Sequence, residues 1–168
     1  RTSNLNKAAG ILVKRNGEQK RGGHELAITN DDHLQMSLIH NDREEKITIR
    51  STGKIDARTW SHVFATYDGS GVASGLELYI NGRLQPKIVI EDALDRKTIL
   101  NGNDLLAGNW THRNRTRKEI HGFIGGLIDE IRIYERQLSP IEVLKLSGKN
   151  LSEYYRLNNQ QSQSKILL

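Results

Sequence analysis

Cysteine is absent from the 168 residues, which excludes a disulfide framework, a thiolate-ligated zinc or iron–sulfur centre and a thiol nucleophile. Proline occurs twice and tryptophan twice, and aromatic residues make up only 5% of the chain, so broad aromatic platforms for stacking on sugars or bases are few. No apolar stretch approaches the ~18 residues needed to cross a bilayer as a helix, and no insertion into a membrane is expected. Catalytic signatures are missing as well. His24-Glu25 opens an HExxH pattern, but the fifth position is Ile28 and the second ligand is lost. Gly69, Gly71 and Gly75 resemble a phosphate loop without its lysine or its helix, which makes a hairpin tip the simpler reading. There is no G-x-S-x-G elbow.

The length suits one domain. The chain opens on Arg1 with no signal-like segment, and it reads as a piece of a longer protein. The net charge of +5 is too small to indicate nucleic acid, but its placement is uneven: HRNRTRKEIH runs from His112 to His121.

Apolar residues recur at period 2 in short runs broken by Gly, Asn and Asp, the pattern of half-buried strands. Strands are expected over 9–14, 25–29, 34–39, 47–50, 76–80, 105–108 and 124–134. Trp60–Tyr67 is apolar on both faces and is expected to be a central strand with Trp60 buried. Leu76, Leu78 and Ile80 share a face. Asn81-Gly82 then favours a tight hairpin turn with positive φ at both positions, and the return strand, started by Pro86, should carry Ile88 and Ile90 inward. About nine strands at regular spacing predict an all-β antiparallel two-sheet sandwich. Near the end, Ser139 as N-cap, Pro140 at the first position and Glu142 completing a capping box predict one short helix to about Leu146, stopped at Gly148. The expected division is therefore a sandwich over 1–148 and, over 149–168, a polar linker or the start of another domain.

Two stretches, Trp60–Gly82 (WSHVFATYDGSGVASGLELYING) and Gly122–Leu146 (GFIGGLIDEIRIYERQLSPIEVLKL), resemble the laminin G-like jelly-roll domain of the concanavalin A-like lectin/glucanase superfamily. The YDGSGxASG hairpin is further similar to the variant embedded in large exported bacterial proteins that also carry cytochrome c-like segments. The resemblance implies a jelly roll, an extracellular or periplasmic setting, and first strands that either precede this chain, their loss exposing a sheet edge, or have diverged within it. The E-x-D-x-x-E carboxylates of the superfamily's glycosidases are not present, so no catalysis is expected.

Asp129 shares parity with Leu127, Ile131 and Ile133, which in a regular strand points it inward, where a charge requires a partner. A hydrogen-bonded core acid is one reading. The resemblance supplies another, a structural calcium ion held by Asp129 with Asp68 as second donor. His62 shares a face with Trp60 and Phe64 and reads as a core histidine rather than a metal ligand. Trp110 lies in the loop 108–112 beside the basic run, where its indole with His112, Arg113 and Arg115 could stack on a sugar and pair with an acidic group; the alternative is a tryptophan that covers the sandwich end. Asn109-Trp110-Thr111 and Asn114-Arg115-Thr116 match glycosylation acceptors. The functional expectation is a noncatalytic module binding carbohydrate or neighbouring domains of the same chain. A purely architectural spacer and a binder of acidic polysaccharide through the basic loop are the alternatives.

Overall fold

The structure is a computed structural model, and it describes residues 8–15, 21–41, 44–95, 97–114, 117–122, 126–150, 152 and 155–156, with backbone alone at 21, 41, 109–114 and 117–122. Two antiparallel sheets carry the fold. The larger is built from β1 (Ala9–Lys14), β2 (Arg21–Ile28), β3 (His33–Asn41), β4 (Glu45–Lys54), β8 (Lys87–Asp92) and β9 (Leu106–Ala107), in the order β8-β4-β3-β2-β1-β9. The smaller comprises β5 (Val63–Tyr67), β6 (Leu76–Ile80) and β7 (Arg83–Leu84) in sequence order. A hairpin of β10 (Asn109–Asn114) and β11 (Arg117–Gly122) lies against β1. The jelly-roll sandwich expected from the alternating pattern is present, and no helix among the described residues is long and apolar enough to span a bilayer.

The core follows from strand parity. Ile28, Leu34, Leu38, Ile47 and Ile49 point from the large sheet onto Leu76, Leu78 and Ile80 of the small one, and all are buried. At the tip of β6, Asn81 and Gly82 have φ of 51° and 76°, as a turn with two left-handed residues demands. Gly82 has a second reason to be glycine: a Cβ there would overlap the Ser147 hydroxyl.

Ser139 caps α1 (Pro140–Leu146) with a reciprocal box, the Ser139 amide donating to Glu142 Oε2 at 2.8 Å while the Ser139 side chain accepts from the Glu142 amide. Arg136 grips the same carboxylate with both guanidinium nitrogens, at 3.0 and 2.6 Å. These bonds hold the Glu142 carboxyl down at about 2, the arginine being the largest cause. The helix seats Leu138 and Val143 on Tyr79 and Phe64, a second apolar cluster on the far side of the small sheet.

Three expectations are corrected. The strand begins at Val63, not Trp60, and β5 stands at the end of the described small sheet, so Trp60 is 57% exposed rather than central. Ile88 and Ile90 are exposed: β8 is an edge strand, Ile88 pairs with Arg50 on the face turned away from the core, and the bulge opposite Thr48–Ile49 leaves Ile90 unpaired. Residues 126–134 form no strand, so parity gives Asp129 no inward direction and it is exposed along with Leu127, Ile131 and Ile133.

Candidate functional site

Register assembles a polar layer on the face of the large sheet turned away from the core, in which Glu25, Ser37 and Thr48 are buried and Gln35, Lys46, Arg50 and Glu91 are part-exposed. One row runs straight across five strands: Val13, Glu25, Ser37, Thr48, Glu91. The next row is Gly10, Ala27, Gln35, Arg50 and Ile88, and a shorter one is Gly23, Ile39 and Lys46. Small residues thus alternate with long hydrogen-bonding ones. Glu25 is buried and takes Arg15 at 3.0 Å; Thr48 donates to Ser37 at 3.2 Å; Lys46 meets Glu91 at 2.8 Å. Arg50 reaches Asp31 at 3.2 Å, while its Nε is buried without a partner. A hydrogen bond from Thr29, with the charges of Arg50 and His33 behind it, holds the Asp31 carboxyl below its usual range. The individual residues are ordinary outward positions of alternating strands, and only the register between hairpins brings them into rows.

The expected recognition loop is a strand. Trp110, His112 and Arg113 lie in β10, paired with His121, Glu119 and Lys118 of β11. Arg115, the Trp110 ring and the other side chains of this hairpin lie outside the described residues. Because β9 pairs with β1 and β10 lies against β1, the basic hairpin continues the margin of the large sheet.

A second feature separates the sheets on the β1–β2 side, a cleft of about 370 Å³ lined by Leu12, Leu26, Trp60, His62, Leu127 and Ile131 among others. His62 stacks on Phe64 with ring centroids 6.2 Å apart, and Phe64 meets Tyr134 at 5.9 Å. Burial and the nearby Arg132 charge press the His62 pKa down, and its Nδ1 has no partner. The His62 carbonyl accepts from Asn81 and the Asp68 amide donates to Gly75, so even-numbered positions of this strand pair with β6. The backbone groups of Val63, Ala65 and Tyr67 therefore point toward the cleft side, and no described backbone group bonds to them there.

The two carboxylates considered for calcium are far apart. Asp68 follows the last residue of β5, whereas Asp129 lines the cleft with Thr59–Phe64 at its beginning. The five residues of β5 between them span about 16 Å, against the 2.3–2.6 Å reach of a calcium ligand. Asp129 Oδ1 accepts from the Glu130 amide at 2.8 Å and Asp68 Oδ1 from the Ser70 amide at 2.8 Å. Among the described residues no three acidic or histidine side chains converge on a common point. The pair does not fit a shared calcium ion.

No curated protein matches the chain. Among solved structures it is similar to a domain from Ruminococcus gnavus, "IT-sialidase CBM40 bound to alpha2,3 sialyllactose", at 20% identity and a TM-score of 0.63, covering 88% of this chain and 78% of that one. A second structure of the R. gnavus IT-sialidase CBM40 gives 23% identity, the same TM-score of 0.63, and coverage of 87% and 77%. Identities this low speak to the fold alone. The sequence itself matches the Laminin_G_3 family over residues 1–144, and the chain belongs to that family of the concanavalin A-like lectin/glucanases superfamily.

Proposed function

We propose that the chain is a noncatalytic, carbohydrate-binding module of a larger exported protein, with a preference for acidic glycans. The observation that carries this reading is the set of part-exposed side chains Gln35, Lys46, Arg50 and Glu91 on one face of the large sheet, set around the buried Glu25, Ser37 and Thr48. Hydroxyl-rich ligands are recognised by such arrays of donors and acceptors, and a carboxylate on the glycan is matched by guanidinium groups. Arg50, Arg113 and Arg115 would supply them, with Trp110 as a stacking surface. Support comes also from the similar CBM40 domain, which was obtained with a sialylated lactose.

The test is affinity electrophoresis against an anionic polysaccharide and a neutral glucan, with α2,3-sialyllactose as soluble competitor. The expected result is stronger retention in the anionic gel, falling with added salt. Arg50→Ala, and Arg113→Ala combined with Arg115→Ala, should weaken anionic retention and leave neutral retention alone, whereas Trp110→Ala should weaken both. A domain that migrates alike with and without every glycan sinks the carbohydrate reading. The domain-interaction reading has its own observation: among the described residues no backbone group bonds to Val63, Ala65 or Tyr67 on the side of β5 away from β6. An edge of this kind accepts an extended segment of a neighbouring domain by strand addition.

A further inference from the structure

The hairpin between β5 and β6 folds around a cation supplied by the chain. Lys87 leaves the first position of β8, and its Nζ donates to the carbonyl oxygens of Ala73 at 2.8 Å, Ser74 at 3.0 Å and Leu76 at 2.6 Å. An ammonium group has three N–H donors, and three carbonyls take them. The carbonyls belong to the 3-10 turn Ala73–Gly75 and the first residue of β6. At the other end of β8, Asp92 Oδ1 accepts from the Ala73 amide at 2.7 Å. A positive and a negative side chain of one edge strand thus hold the carbonyl and amide sides of the same turn.

Asp68 completes the surroundings. Its carboxylate is packed so closely under Gly75 that a Cβ there would overlap it. Hydrogen bonds from Ser70 and the charge of Lys87 keep it ionised well below the usual carboxylate range. Several oxygens of a short loop gathered about one positive centre are what a bound metal ion ordinarily requires. Here the centre is an ammonium on a four-carbon tether.

We propose that the Lys87 ammonium is the resident cation of this hairpin, filling a site of three main-chain carbonyls that takes a primary ammonium or a potassium-sized ion once the side chain is removed. Donor-to-oxygen distances of 2.6–3.0 Å suit a monovalent ion of that size better than calcium, whose oxygens lie at 2.3–2.6 Å. Tethering removes the dependence on ion concentration that a free ligand would impose.

Thermal denaturation decides the matter. The wild-type melting temperature should be the same in potassium and sodium chloride at equal ionic strength; a rise specific to potassium would show that the site is not already filled and overturns the proposal. Lys87→Met keeps the length and loses the charge, and should melt about 5 °C or more below wild type. Equal melting would show that the carbonyls need no cation. Lys87→Ala should regain part of the loss in methylammonium or potassium chloride but not in tetramethylammonium chloride, whose four methyl groups keep its charge from the carbonyls; equal melting in all three salts overturns the site. Should these variants fail to fold, the absence of native cysteine permits Lys87→Cys alkylated in the unfolded state. The aminoethyl adduct, which restores an ammonium at the same reach, should refold, and the neutral propyl adduct should be less stable. Adducts of equal stability refute the assignment.

Discussion

The two sheets of this sandwich are finished to different degrees. In the large sheet every strand from β1 to β4 has a partner on both sides, and Leu34, Ile47 and Ile49 are fully buried beneath it. In the small sheet β5 pairs only with β6 among the described residues, and the cleft beside it is lined by Trp60, Leu127 and Ile131, each about half exposed. Burial of apolar area is the main favourable term in folding. Stability therefore resides in the meander and its contact with β6, whereas the β5 side offers surface that a contact can still use.

This contrast can be broken most directly by truncation on each side. Ile49→Ala removes a fully buried side chain from the centre of the large sheet and should cost about 2–5 kcal/mol. Trp60→Ala, with the ring largely in solvent, should cost less than about 1 kcal/mol. Equal shifts in the urea midpoint would mean that the small sheet is packed as well as the large one. A smaller loss, about 1 kcal/mol, is expected for Ser139→Ala, which removes the helix N-cap on the small-sheet side.

The alternation of strands was readable in the residues because half-buried strands must alternate, and β1 coincides with the expected run 9–14. The Asn81-Gly82 turn and the Ser139 box were readable too, since each needs specific residues at fixed offsets. Trp60 was misplaced for a physical reason. An apolar residue before a strand looks like part of it, and sequence does not report whether a neighbouring strand covers it. The same holds for 124–134, whose alternation is real but which forms no strand over its described part. The polar rows on the large sheet were hidden because register between hairpins is a long-range property, and Lys87 because its carbonyl partners leave no mark on residue type.

Acid sharpens the comparison further. Glu142 titrates at about 2 in the folded chain against an ordinary 4.5. Its contribution is therefore complete above pH 4.5 and is lost as pH falls from about 4.5 to about 2, because the unfolded chain takes the proton first. The melting-temperature gap between wild type and Glu142→Gln should close over that interval, and a gap constant with pH would remove the carboxylate from the account. The smallest effect belongs to His62. Its lowered pKa means that the neutral form is favoured on folding, so its contribution is present above pH 6.5 and declines below it. Proton NMR titration of the imidazole should give a midpoint under 6.5, and binding in the cleft that buries the ring further should lower it again.

Strand order also has a consequence in time. β2, β3 and β4 join their predecessors through short connections, whereas β9 must return from residue 106 to pair with Val13. Loop closure over such a distance is costly before any contact repays it. The meander should accordingly gain exchange protection first in a pulse-labelling experiment, with the two-residue β9 ladder last. In the native state the order reverses: amides of Leu106 and Ala107 should open by local fraying, while those of Ile47 and Ile49 exchange only when the whole domain unfolds. The basic hairpin that follows β9 directly would then be anchored to the least durable seam of the sheet, and a ligand bridging the hairpin and the polar rows would close that seam.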